Sequence, residues 1–124
     1  MSYLKPILHE GTYVFTSVPL DTPIHNLNIA ASVREPESLT LVLPEKEALE
    51  HGFNIHFRCC WITLTMDLAL DSIGLTALFS RALANESIAC NVVAGTRHDH
   101  IFVPLERAKD ALQCLNIIQP ETDA

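Results

Sequence analysis

The densest group of chemistry-bearing residues in this chain is His98-Asp99-His100. On a strand, His98 and His100 share a face, as two metal ligands would, and Asp99 points to the other face. Zinc needs three or four protein ligands, and neither HExxH nor CxxC accompanies the pair. The plainer reading is that these residues shape a hairpin, with Asp99 bonding backbone amides in its turn, and no metal is assigned. His9, His25, His51 and His56 are scattered. The four cysteines, Cys59, Cys60, Cys90 and Cys114, lie in apolar segments. Cys59 and Cys60 point to opposite faces of a strand, which suits neither a mutual bond nor a shared metal. All four read as reduced, mostly buried small hydrophobes. Ser72, Ser80 and Ser87 stand in no GxSxG elbow. The four glycines form neither GxGxxG nor GxxxxGK, so no phosphate loop is present. With no catalytic site visible, the chain reads as a non-enzyme without a cofactor.

Composition narrows the classes further. A length of 124 residues fits one domain or two small subdomains sharing a core. With 48% apolar and 19% charged residues the chain is globular rather than disordered. Its net charge of −7 disfavours nucleic acid and anionic membranes as partners, since both attract positive surfaces. No apolar run is long enough to span a bilayer. The opening MSYLKPILHEG lacks the pattern of a secretory signal, so the expected location is the cytoplasm.

The element that organises the chain is Ser72 to Leu83. Leu75, Leu78, Phe79 and Ala82 fall at i, i+3, i+4 and i+7 and line one helix face. Asp71 and Ser72 stand ahead of it as candidate caps for its free amides. A strand is expected before it, from Arg58 to Met66 with Trp61 at its middle. Two more are expected after it, Ala89–Ala94 and His100–Val103, with Asn85 as a left-handed stop. Pro104 suits the first turn of a second helix running to Leu115. Residues 116–119 are the candidate last strand of a βαββαβ unit.

The first half reads similarly. Residues 4–10 form a short strand or a helical turn, and Tyr13–Val18 a strand. Asn28–Val33 and Leu39–Leu43 are hairpin arms around Pro36. Glu45–Glu50 is a short helix stopped by Gly52. Loop replaces the long first helix around Pro19–Asn28. With no flexible linker after Phe53–Phe57, the halves are expected to pack together.

The run GLTALFSRALANESIACNVVAGTRHDHIFVPLERAKDAL resembles the C-terminal half of a group of small bacterial ACT-domain proteins. CNVVAG and HDHIFVP carry the most specific likeness, and the TLVLP strand with its acidic helix extends it into the first half. The resemblance implies an α+β protein of two ferredoxin-like ACT-type subdomains packed together. The first, abbreviated, covers 1–57 and the second 58–124. It also implies a regulatory module that binds a small effector, an amino acid above all, often as a homodimer, near the loop between first strand and first helix.

Mapped onto this chain, that loop is Met66–Thr76. Gly74 lets a ligand approach the backbone closely, and the amides of Ile73, Gly74 and Leu75 suit a carboxylate. Asp71 would hold an amino group, Ser72 stands beside it, and Asn91 and Val93 would wall the pocket. The bland alternative leaves Asp71 and Ser72 as caps and Gly74 as a packing contact. The rival function is a structural or interaction protein that dimerises and binds a protein partner without a metabolite.

Overall fold

The computed structural model describes residues 2–120. Elements follow in the order β1 (Pro6–Leu8), β2 (Tyr13–Val18), β3 (Ala31–Arg34), β4 (Leu39–Pro44), α1 (Glu45–Glu50) and β5 (Phe57–Leu64). Then come α2 (Leu75–Asn85), β6 (Asn91–Ala94), β7 (Asp99–Pro104), a 3₁₀ turn (Leu105–Arg107) and α3 (Ala108–Asn116). The chain divides into two compact units. One is Glu10–Cys59; the other gathers the amino-terminal residues up to His9 with those from Cys60 onward. The division falls inside β5.

In the first unit the strands lie in the order β3-β4-β2-β5. β2 pairs antiparallel with β4, from Tyr13 opposite Pro44 to Val18 opposite Leu39. The alternation of β2 puts Val14 and Val18 against Leu39, Leu41, Leu43 and Ala48 in the core. α1 ends as a Schellman motif. There Gly52 is left-handed at φ +69°. Its amide bonds Leu49 O, and the Phe53 amide bonds Ala48 O. The predicted hairpin forms, but β3 starts only at Ala31. Asn28 is held instead by Glu47, through its amide at 3.0 Å and its Nδ2 at 3.2 Å.

In the second unit the order is β5-β7-β6, with β1 paired on β5. Cys60, Ile62 and Leu64 of β5 and Ile101 and Val103 of β7 face Phe79 and Leu83 of α2 and Ala111 and Leu115 of α3. Phe79 belongs to the stripe that the helical spacing picks out, whose Leu75, Leu78 and Ala82 pack partly buried against the same core; Leu83 lies outside that stripe. The ferredoxin-like α+β architecture is thus present, with one substitution in its parts. No strand forms over 116–119, because α3 runs to Asn116 and the chain beyond is irregular. The place beside β5 is taken by β1, with Pro6 opposite Leu64 and Leu8 opposite Ile62. Leu4, fully buried, joins the same core.

Strand ends shift by a few residues, and three helix boundaries differ from the sequence reading. α2 begins at Leu75 rather than Ser72. Its stop is Ser87, left-handed at φ 58°, and not Asn85, which is still helical. The Ile88 amide reaches back to Leu83 O and both side chains enter the core, so the reversal is fixed by packing as well as by hydrogen bonds. Pro104 closes β7, and a 3₁₀ turn precedes α3.

Candidate ligand site

The loop from β5 to α2 is pinned on two sides. The amides of Thr65 and Met66 bond the carbonyls of Lys5 and Leu4, at 3.1 and 3.2 Å. The Leu68 amide bonds Arg97 O at 3.1 Å, and His98 Nδ1 lies 3.4 Å from Met66 O. Arg97 also meets Asp67 at 3.6 Å, but both side chains are exposed and that pair contributes little. The loop is therefore held by backbone, between residues 4–5 and the β6–β7 turn.

Gly74 turns this loop into α2. It takes φ +95° at the N-cap position, a conformation glycine adopts without steric cost. Its carbonyl accepts from the Leu78 amide at 3.0 Å. No side chain caps the helix, so Asp71 and Ser72 are not the caps their types suggested. They lie three and two residues too early and are exposed, with the Ser72 amide spent on Ala69 O. The first-turn amides of α2, Leu75 to Ala77, are left without a capping side chain.

A cavity of about 450 Å³ opens at this helix start. Ser72, Ile73, Gly74 and Leu75 line it, with Tyr3, Met66, Asp67, Leu68 and Leu78. Four of the predicted site residues therefore come together. Asp71 does not line the cavity, and neither do Asn91 and Val93. The strand pairing gives the reason for the last two. Asn91 lies opposite Phe102 and Val93 opposite His100, so both share the sheet face away from the helices. Val92 and Ala94 occupy the helix-side phase. A smaller chamber, about 80 Å³, lies between Ala94, Gly95, Asp99 and the same helix start, and shares Leu68, Ser72 and Leu75 with the larger one.

A groove of about 650 Å³ elsewhere in this unit is larger. Its Arg107, however, is committed to Asp110 and to the carbonyls of Ser87 and Glu86.

Sequence reasoning missed a polar chain on the opposite sheet face. Trp61 Nε1–H donates to His100 Nδ1 at 3.0 Å, so that nitrogen is an acceptor. Thr63 Oγ1 lies 3.0 Å from the same Nδ1 and 2.7 Å from His9 Nε2. The Thr63 hydroxyl, with one proton to give, thus sits between the ring nitrogens of His100 and His9. Strand alternation from Trp61 to Thr63 was the available signal. His98 and His100 make separate contacts, and among the described residues no group of three or more His, Cys, Asp or Glu could hold a metal ion. Burial pushes Cys60 and Cys114 up and Cys90 up to about 11, which keeps them protonated.

Residues 1–60 match one family model of the ACT domain, and residues 56–116 match another. Among solved structures, a Vibrio cholerae protein of unknown function, described as a possible transport protein, is 40% identical. The match covers 96% of this chain and 92% of that one, with a TM-score of 0.85. The regulatory subunit of aspartate kinase from Thermus flavus shares 9% identity, over 93% of this chain and 97% of that one, at a TM-score of 0.64. E. coli aspartokinase III, solved with aspartate and ADP, shares 14% identity over 92% of this chain and 33% of its own, at 0.68. At such identities the likeness is one of fold. Among curated proteins none matches.

Proposed function

Because this chain belongs to the ACT-domain family, we propose that it is a non-catalytic regulatory module whose effector is an amino acid. The observation that carries this reading is the open cavity of about 450 Å³ at the start of α2. There Gly74 brings bare backbone to the surface and no side chain competes for the first-turn amides. Such a helix start favours a carboxylate, through its unpaired donors and its dipole. Ser72, Ile73, Gly74 and Leu75 form the proposed contact, and Asp71 stands next to it.

The tandem assignment, one ACT module over 1–57 and one over 58–124, belongs to the same proposal, with β1 as the strand that the first stretch lends to the second unit. So do a homodimer and a regulated protein partner that responds when effector stabilises one state over another. Four free cysteines, two of them buried, fit a reducing cytoplasm.

The test is a thermal-shift screen of the purified protein against the twenty amino acids. A ligand that binds only the folded state raises its stability by RT ln(1 + [L]/Kd). The rise should vanish in Ser72→Trp, which fills the cavity from an exposed position. No shift with any amino acid would favour a dimer that engages its partner without a metabolite.

A further inference from the structure

Asp99 is the one acidic side chain among the described residues that is both buried and incompletely bonded. It is 5% exposed, and its Oδ2 has no hydrogen-bond partner among the described residues. It opens β7 opposite Ala94, in the strand phase that faces the helices. That phase points it into the small chamber of about 80 Å³ beneath the start of α2. Leu68, Leu70, Ser72, Thr76 and Gly95 line the same chamber, and no lysine or arginine does. Arg97, two residues away, is turned to Asp67 on the surface.

A buried carboxylate without a counter-charge is costly, and the overall charge of −7 adds to the cost. A proton or a cation would relieve that cost. The chamber suits a particular cation. A water molecule occupies about 30 Å³ of liquid volume, so the space admits roughly two groups of that size. A calcium ion wants six to eight oxygens, and this chamber offers one carboxylate with the hydroxyl residues Ser72 and Thr76, too few for that ion. A primary ammonium group is compact, carries three donors and needs few partners.

We propose that the chamber over Asp99 is a receptor for a primary ammonium group, held by the Asp99 carboxylate. This deepens the amino-acid reading above and rests on it for the ligand's other end. The chamber and the open cavity share Leu68, Ser72 and Leu75, which sets the ammonium receptor beside the proposed carboxylate contact. In this arrangement Asp99, rather than Asp71, meets the amino group. Burial raises the Asp99 carboxyl above its ordinary value, with His100 pulling the other way; a bound ammonium returns it to the ionised form.

The probe is methylammonium chloride, compared with tetramethylammonium chloride at about 0.1 M each, at pH 8, by thermal melting of the full chain. Tetramethylammonium has the same charge but no donors and more bulk. Methylammonium should raise the wild-type melting temperature by about 3 °C or more over the control. The difference should vanish in Asp99→Asn, which should melt at least as high as wild type without ligand. If Asp99→Asn does not fold, Thr76→Trp, at an exposed rim position, should close the chamber and abolish the difference. Equal wild-type melting in the two salts overturns the proposal and leaves the chamber to resident water. A difference that persists in the folded variants overturns it too.

The amino-acid screen separates this from the broader reading. Any amino acid bound should lose about ten- to a hundredfold in affinity in Asp99→Asn. An amino acid bound equally by wild type and Asp99→Asn keeps the regulatory reading and removes Asp99 from it. Methylammonium binding without any amino acid keeps the ammonium site and removes the reading.

Discussion

The imidazole of His9 lies on the indole of Trp61, ring centroids 3.7 Å apart and planes 14° apart. The His9 amide also bonds Trp61 O at 2.9 Å, so one residue just past β1 is tied to β5 by both ring and backbone. Burial holds His9 below the ordinary histidine value of 6.5. His100 is lowered as well, by burial and then by His9 and His98, with Asp99 acting in the opposite direction. The folded state therefore binds fewer protons than the unfolded chain just below pH 6.5, and stability falls as pH drops through that window. Urea midpoints from pH 8 to 5 should show the fall. His9→Phe keeps a ring on Trp61 and removes one of the titrating groups, so its curve should be flatter; an equally steep curve would place the loss elsewhere.

Leu4 is fully buried in the core of the second unit. Leu4→Ala should cost about 2–5 kcal/mol in chemical denaturation, the range for a deleted leucine side chain. A chain beginning at residue 58 lacks both Leu4 and β1. It should melt without a cooperative transition, and a synthetic peptide of residues 2–9 should restore one. Cooperative melting of the shortened chain on its own would show that β1 is dispensable.

Ser87 holds a left-handed conformation that glycine adopts without strain. Ser87→Gly should stabilise the protein by about 0.5–1 kcal/mol in urea denaturation. The backbone bonds of the motif and the two Arg107 contacts to the carbonyls of Glu86 and Ser87 do not depend on the serine side chain.

The start of α2 makes an opposite pair of predictions. Neither Asp71 nor Ser72 caps the helix through its side chain. Asp71→Ala and Ser72→Ala should therefore each leave stability within about 0.5 kcal/mol of wild type. A Cβ at Gly74 meets nothing within 4 Å. Gly74→Ala should accordingly cost about 1–2 kcal/mol through its backbone alone. A cost of about 1 kcal/mol or more from Ser72→Ala would restore it as a cap.

The helix stripes were legible because their spacing is a property of single segments. Leu75, Leu78 and Phe79 had to share a face wherever α2 began. The start itself was not legible, because aspartate and serine signal a cap by type, whereas here the glycine's φ decides the turn. Asn91 and Val93 failed for a different reason. A strand's alternation shows which residues share a face but not which face looks to the helices, and that phase is set by pairing with β7. Asp99 was read as a turn residue because its burial depends on α2 lying above it. The place of β1 was invisible in the C-terminal half, since the residues that fill it belong to the other end of the chain.

That last feature bears on how the molecule is made. Ile7 pairs with Thr63, more than fifty residues further along. Synthesis runs from the amino end, so β1 emerges first and waits for a partner not yet translated. The second unit closes only over that long loop, a non-local contact of the kind that slows folding. Its earliest segment is thus among the last to settle, and a bulky fusion at the amino end would burden the step that completes the sheet.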